Sequence, residues 1–176
     1  MRVSFGPATA IALVALSLLA GADARTAARQ SPALDWQTFM IPDFGTRVEY
    51  PAGLFEVFDG GSEKGIGERW STADGRAFLT IYSRPNEAAD TPASYLRNNL
   101  RVARAALEYE RVTRSFFAIS STREGVVYYS RCNFSAHARG AVHCFDLTYP
   151  QREERAWDAI VTRISRSLRP LEPARM

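Results

Sequence analysis

From Leu34 onward the chain reads as short extended stretches, in which apolar and polar positions alternate, interrupted by two runs of helical period. Residues 36–40 and 46–50 are predicted strands, with the turn-forming tetrapeptide Pro42-Asp43-Phe44-Gly45 between them. Pro51-Ala52-Gly53 bends the chain before residues 54–58, and Asp59-Gly60-Gly61-Ser62 predicts a loop. Residues 65–71 and 76–83 then flank Thr72-Ala73-Asp74-Gly75, the pattern of a hairpin. With Ser71 opposite Arg76, one face gathers Ile66, Trp70, Ala77, Leu79 and Ile81, and Glu68 is its polar intruder.

Thr91-Pro92 is a helix start, a capping hydroxyl followed by proline in the first turn. Leu96, Leu100, Ala103 and Leu107 continue it as a single apolar stripe. Arg97, Arg101 and Arg104 lie beside the stripe and read as a solvated face rather than an anion site. Three strands follow, from 109 or 111 to 122, from 126 to 134 and from 141 to 149. Arg123-Glu124-Gly125 forms the first turn and residues 135–140 the second. Pairing Thr122 with Val126 sets Phe117 and Ile119 beside Tyr129, and Phe116, Ala118 and Tyr128 on the other face. Both faces are apolar, which predicts a sheet covered on two sides. A closing helix spans about 150–168: Pro150 suits its first turn, Glu153 and Glu154 its positive end, and Pro170 its stop. Its stripe is Trp157, Ile160, Val161, Ile164 and Leu168.

The first residues follow a different plan. Arg2 precedes an uncharged run from Ala8 to Ala20, and Ala22-Asp23-Ala24 places small residues at −3 and −1 of a cut before Arg25. That is the layout of a secretory signal peptide over residues 1–24, and the run is shorter than the ~20 apolar residues of a spanning helix. Residues 25–33 are a polar lead-in, 34–170 a single domain and 171–176 a tail. A chain of this size buries roughly two-thirds of its unfolded surface. No stable membrane anchor is expected after cleavage, and the location is periplasmic or secreted. The 22 basic and 19 acidic residues leave only +3, and the arginines are interleaved with acids along the chain, so no nucleic-acid footprint emerges. Lys64 is the sole lysine.

Cys132 and Cys144 fall on neighbouring predicted strands, where a symmetric hairpin across the 135–140 loop sets position 132 opposite 143 or 144, and an exported chain meets an oxidising compartment; a disulfide is expected. The competing reading is zinc held by Cys132, His137, His143 and Cys144, but C-x4-H-x5-H-C matches no common finger, and adjacent strand residues point to opposite faces. No metal and no cofactor are expected. G-x-S-x-G, H-E-x-x-H and a glycine-rich phosphate loop are all absent, so no catalytic residue is assigned. A carboxylate pair could be drawn from Glu49, Glu56, Glu68 or Asp146, with nothing to single two out. With the cysteines opposed, His143 faces Asn133 and neighbours Arg131; these three form the candidate binding group.

Several segments resemble a small family of secreted alphaproteobacterial proteins of no assigned activity: Tyr50-Pro51-Ala52-Gly53-Leu54-Phe55, ADGRAFLTIYS at 73–83, TPASYLRNN at 91–99, YYSRCNF at 128–134 and HCFDLTYP at 143–150. The resemblance covers about residues 45–170. The element order is also similar to the PsbP-like fold of photosystem extrinsic subunits, an α/β/α sandwich. That likeness implies an α+β domain, an antiparallel sheet packed against two main helices, and a binding or assembly role at most. The leading expectation is an exported, non-enzymatic accessory domain that binds a protein or small-molecule partner. The alternative is a small periplasmic hydrolase built around His143 and Arg131. A pocket joining those two to a carboxylate favours the enzyme, and a filled sheet face favours the binding module.

Overall fold

The computed structural model describes residues 34–99, 103–136 and 140–170. The segments expected to be a signal peptide (1–24), a lead-in (25–33) and a tail (171–176), together with Leu100, Arg101 and His137, lie outside the described residues.

The chain begins with β1 (Trp36–Ile41) and β2 (Thr46–Pro51), joined by a 3-10 turn at Pro42–Phe44 that Gly45 closes in the left-handed conformation. Next come β3 (Val57–Gly61), β4 (Ile66–Ser71), β5 (Phe78–Pro85) and α1 (Pro92–Asn99). The chain then runs through β6 (Tyr109–Val112), β7 (Phe116–Arg123), β8 (Val126–Phe134) and β9 (Ala141–Pro150). It closes with α2 (Glu154–Ser167) and β10 (Arg169–Pro170). Seven strands form an antiparallel sheet in the order β3-β4-β5-β9-β8-β7-β6, and β1-β2-β10 form a small second sheet.

The large sheet divides two cores. On one face α2 and the small sheet cover Leu79, Ile81, Phe145, Leu147 and Tyr149. The α2 stripe fits that face as its spacing predicts: Trp157, Ile160, Val161, Ile164 and Leu168 are all buried, and Trp157 stacks on Tyr149 with centroids 5.1 Å apart. The other face carries Tyr82, Phe117, Ile119, Cys132, Phe134 and Cys144, under α1 with its Tyr95 and Leu96. The expected two-sided cover is therefore present.

Local chemistry shifts several elements from their predicted places. Residues 59–61 are strand rather than loop. Gly60, at φ +108°, forms a bulge after Phe58, while the Asp59 carboxylate accepts from the Ser71 hydroxyl at 3.1 Å, so the ladder to β4 continues. In the β4–β5 hairpin Ser71 opposes Phe78, not Arg76. Thr72 pairs with Ala77 instead of lying in the loop, since its N–H reaches the Ala77 carbonyl at 3.0 Å and its hydroxyl accepts the Ala77 N–H at 3.2 Å. The slip is two residues, so the faces survive, although Ile66 at the end of β4 is 53% exposed. Gly67 has no alternative in this hairpin: a Cβ there would meet the Ile81 carbonyl oxygen at 2.0 Å.

The single strand expected from 109 or 111 is two strands, β6 and β7. The Thr113 hydroxyl accepts the N–H groups of Ser115 and Phe116 at 3.3 and 3.0 Å and turns the chain between them. At the β7–β8 turn Thr122 opposes Val127, because Glu124 and Gly125 both adopt positive φ (53° and 75°) and close a two-residue turn. That one-residue difference moves Phe117 and Ile119 to the face of Tyr128 and Cys132, and Tyr129 to the opposite face. Among the described residues the first helix covers Pro92–Asn99, and Ala103 and Leu107 flank a 3-10 turn instead of continuing its stripe. Pro150 ends β9, paired with Val126, rather than opening α2.

Candidate functional site

The expected group of Arg131, Asn133 and His143 lies on the α2 face, at one end of β8 and β9, with Asn133 opposite His143. Two of the three side chains meet. Arg131 Nε donates to Asn133 Oδ1 at 3.0 Å, its Nη1 to Ser165 Oγ at 2.9 Å, and its guanidinium lies 4.2 Å over the Phe116 ring. Asn133 Nδ2 donates to the Leu168 carbonyl at 2.8 Å. This pair ties the end of α2 to the sheet, and burial pulls the Arg131 pKa down.

His143 turns elsewhere. Its Nδ1 lies 2.7 Å from Thr46 Oγ1, which is itself 2.5 Å from Ser83 Oγ, and its Nε2 lies 3.1 Å from Ser135 Oγ. The ring is 0% exposed, and burial pushes its pKa down to about 4. Both ring nitrogens are thus occupied by hydroxyls, and among the described residues no carboxylate bonds to His143 or Arg131. Of the carboxylates considered from sequence, Glu49 pairs with Arg163 at 3.0 Å and Asp146 lies on the opposite face of the sheet. Cys132 and Cys144 oppose one another in register and are joined by a disulfide, so neither is a thiolate.

A cleft of about 710 Å³ opens on the α1 face. Its walls include Tyr82 from β5, Tyr95 from α1 and Tyr128 from β8; Lys64, from the β3–β4 turn, and Arg84 stand among its polar groups, with Asn98 and Asn99 at the end of α1. These positions converge because β5, β9 and β8 are consecutive in the sheet and their even-numbered residues share this face. Asp146 sits at the centre of that face, 6% exposed. Its Oδ1 accepts the Tyr128 hydroxyl at 3.1 Å and its Oδ2 the Lys64 ammonium at 2.5 Å. The ammonium also lies 5.9 Å from the Tyr82 ring centroid and 5.8 Å from that of Tyr128. Burial, then the nearby Asp146 charge, pushes the Tyr82 and Tyr128 hydroxyls far up, so both remain neutral donors. The volume of this cleft falls in the range of small-molecule sites, and its lining is about half polar. Sequence reasoning did not find it; the available signals were the lone lysine and an aspartate in the middle of an apolar strand.

The two-core arrangement, a large antiparallel sheet with a helix on each face, defines a PsbP-like α+β sandwich. The solution structure of cyanobacterial PsbP (CyanoP) from Synechocystis sp. PCC 6803 is similar to this chain with a TM-score of 0.57, covering 78% of this chain and 94% of that one at 10% sequence identity. At that identity the likeness shows the fold alone. No family model matches the chain, and no curated protein matches it.

Proposed function

We propose that this chain is an exported, non-enzymatic accessory domain that takes a small ligand, or a side chain of a partner, into the tyrosine-walled cleft. The observation that carries this reading is the cleft itself, two of whose wall residues, Lys64 and Tyr128, bond to the buried carboxylate of Asp146. The filled surroundings of His143 support it from the other side of the sheet. A hydrolase reading would rest on the Ser135–His143 hydrogen bond, yet that histidine is sealed from solvent, has no carboxylate partner among the described residues and is a weak base. Export is supported by the Cys132–Cys144 bridge, which suits an oxidising compartment.

Two measurements test the proposal. Amide chemical shifts recorded against a mixed set of cationic, neutral and anionic small molecules should move around Tyr82, Tyr95 and Tyr128 for at least one of them. A fluorophosphonate probe should leave Ser135 unlabelled. Covalent labelling of Ser135 would replace the binding reading with the hydrolytic one.

A further inference from the structure

The cleft already holds an ammonium group, and the chain supplies it. We infer that the cleft is a binding site for a primary alkylammonium, and that Lys64 occupies it as a tethered stand-in that such a ligand displaces. The inference rests on the cleft being the ligand site proposed above.

Asp146 makes the site selective for a cation. It lies in mid-strand, opposite Thr80 on β5 and Ser130 on β8, where a carboxylate without a positive partner would be costly. One oxygen is held by the Tyr128 hydroxyl and the other by the Lys64 ammonium, and both of those partners line the cleft. The rings of Tyr82 and Tyr128 flank that ammonium within cation–π range. A carboxylate between two aromatic rings suits a compact, strongly charged head group, and Lys64 is the single position where this arginine-rich chain uses lysine.

Lys64 is also placed to leave. Its side chain is 52% exposed, against 7% for that of Asp146, and it rides on the β3–β4 turn. That turn is closed by bonds that do not involve the ammonium: the Ser62 N–H to the Gly67 carbonyl at 3.0 Å, and the Lys64 N–H to Ser62 Oγ at 3.1 Å. The head group can therefore swing out while the hairpin stays formed. The rest of the cleft, toward Arg84 and Asn98, accommodates the body of a ligand whose amine replaces it.

The test uses n-butylammonium, which reproduces the lysine stem and head, with n-butanol as the neutral control and benzoate as an anionic one, at constant ionic strength. In the wild-type protein, rising butylammonium should shift the Lys64 side-chain NMR signals to those of a free lysine. Lys64→Ala should bind butylammonium at least tenfold more tightly than wild type and should ignore butanol. Adding Asp146→Asn to that variant should lose at least tenfold. If Lys64→Ala does not fold, the wild-type displacement decides the matter alone. Lys64 signals that never move, or equal binding of butanol, overturn the inference. Shifts around Tyr82, Tyr95 and Tyr128 caused by benzoate but not by butylammonium would sink the ammonium site and leave the cleft standing. Silence from every probe removes both.

Discussion

His143 shows how far a single side chain departs from its sequence appearance. Its strand position opposite Asn133 follows from hairpin symmetry, but its bond to Thr46 crosses 97 positions of sequence, and no local pattern announces that. The buried, neutral ring makes stability depend on pH. Well above pH 6.5 the imidazole is uncharged in folded and unfolded chains alike and contributes no pH dependence. As pH falls from 6.5 toward 4, the unfolded chain takes up a proton that the folded one refuses, so stability declines, and the decline levels off below about pH 4. The full loss is roughly 3 kcal/mol, of which about 1 kcal/mol falls between pH 7.5 and 5.5. Urea melts at those two pH values should show this difference for wild type and lack it for His143→Gln; equal pH dependence would mean that the ring is not held neutral. Asp146 gives a companion case. Tyr128→Phe removes one of its two partners and should cost about 1.5–3 kcal/mol in the same melts, the range for a hydrogen bond to a charged group.

Among the elements, α2 was the most legible, and the reason is physical: an uninterrupted stripe of five large apolar residues has one way to be buried. Trp157, 5% exposed between Tyr149 and Phe55, should cost roughly 3–5 kcal/mol on truncation to Ala. Arg163→Ala should cost under about 1 kcal/mol, because its ion pair with Glu49 and its stacking on Trp36 are half exposed. Strand positions were legible too, as was the β8–β9 register, but the registers of the β4–β5 and β7–β8 hairpins were not, because turns are set by one or two residues whose alternatives differ by little energy. Glu124-Gly125 illustrates this. Either a three-residue or a two-residue loop suits the sequence, and the structure takes the two-residue form with a glutamate at positive φ, which reverses the face of every residue on β8 relative to β7. Asn is favoured over Glu at that backbone position, so Glu124→Asn should stabilise the domain by about 0.5–1 kcal/mol, read as a higher denaturation midpoint at unchanged slope. The Tyr82–Tyr95–Tyr128 cleft was hidden for another reason: opposed cysteines already put Tyr128 on the Asp146 face, but the β5–β9 pairing that brings Tyr82 there, and the seat of α1 that brings Tyr95, join residues distant in sequence.

Strand order lies beyond local pattern altogether. The central pairing of β5 with β9 joins residues such as Phe78 and Thr148, and the closing β10 returns to pair with β2, so the two sheets are fixed by contacts distant in sequence. What the sequence does make visible at this level is the pair of half-buried faces, and with it the need for a cover on each. The disulfide sits inside the smaller of the resulting cores, beneath α1, joining the two strands that also carry Tyr128 and Asp146. Its loop spans 12 positions, and the chain-entropy account assigns a loop of that size about 2–3 kcal/mol. Reduction of the purified protein should therefore lower the melting temperature by roughly 5–10 °C. Before reduction no thiol should react with an alkylating reagent. The same bridge ties stability to compartment. Protein recovered from its native host should have a mass matching a chain that starts close to Arg25 with both cysteines oxidised. A full-length chain held in the membrane with two free thiols would overturn the proposed export and with it the oxidising compartment proposed for this bridge.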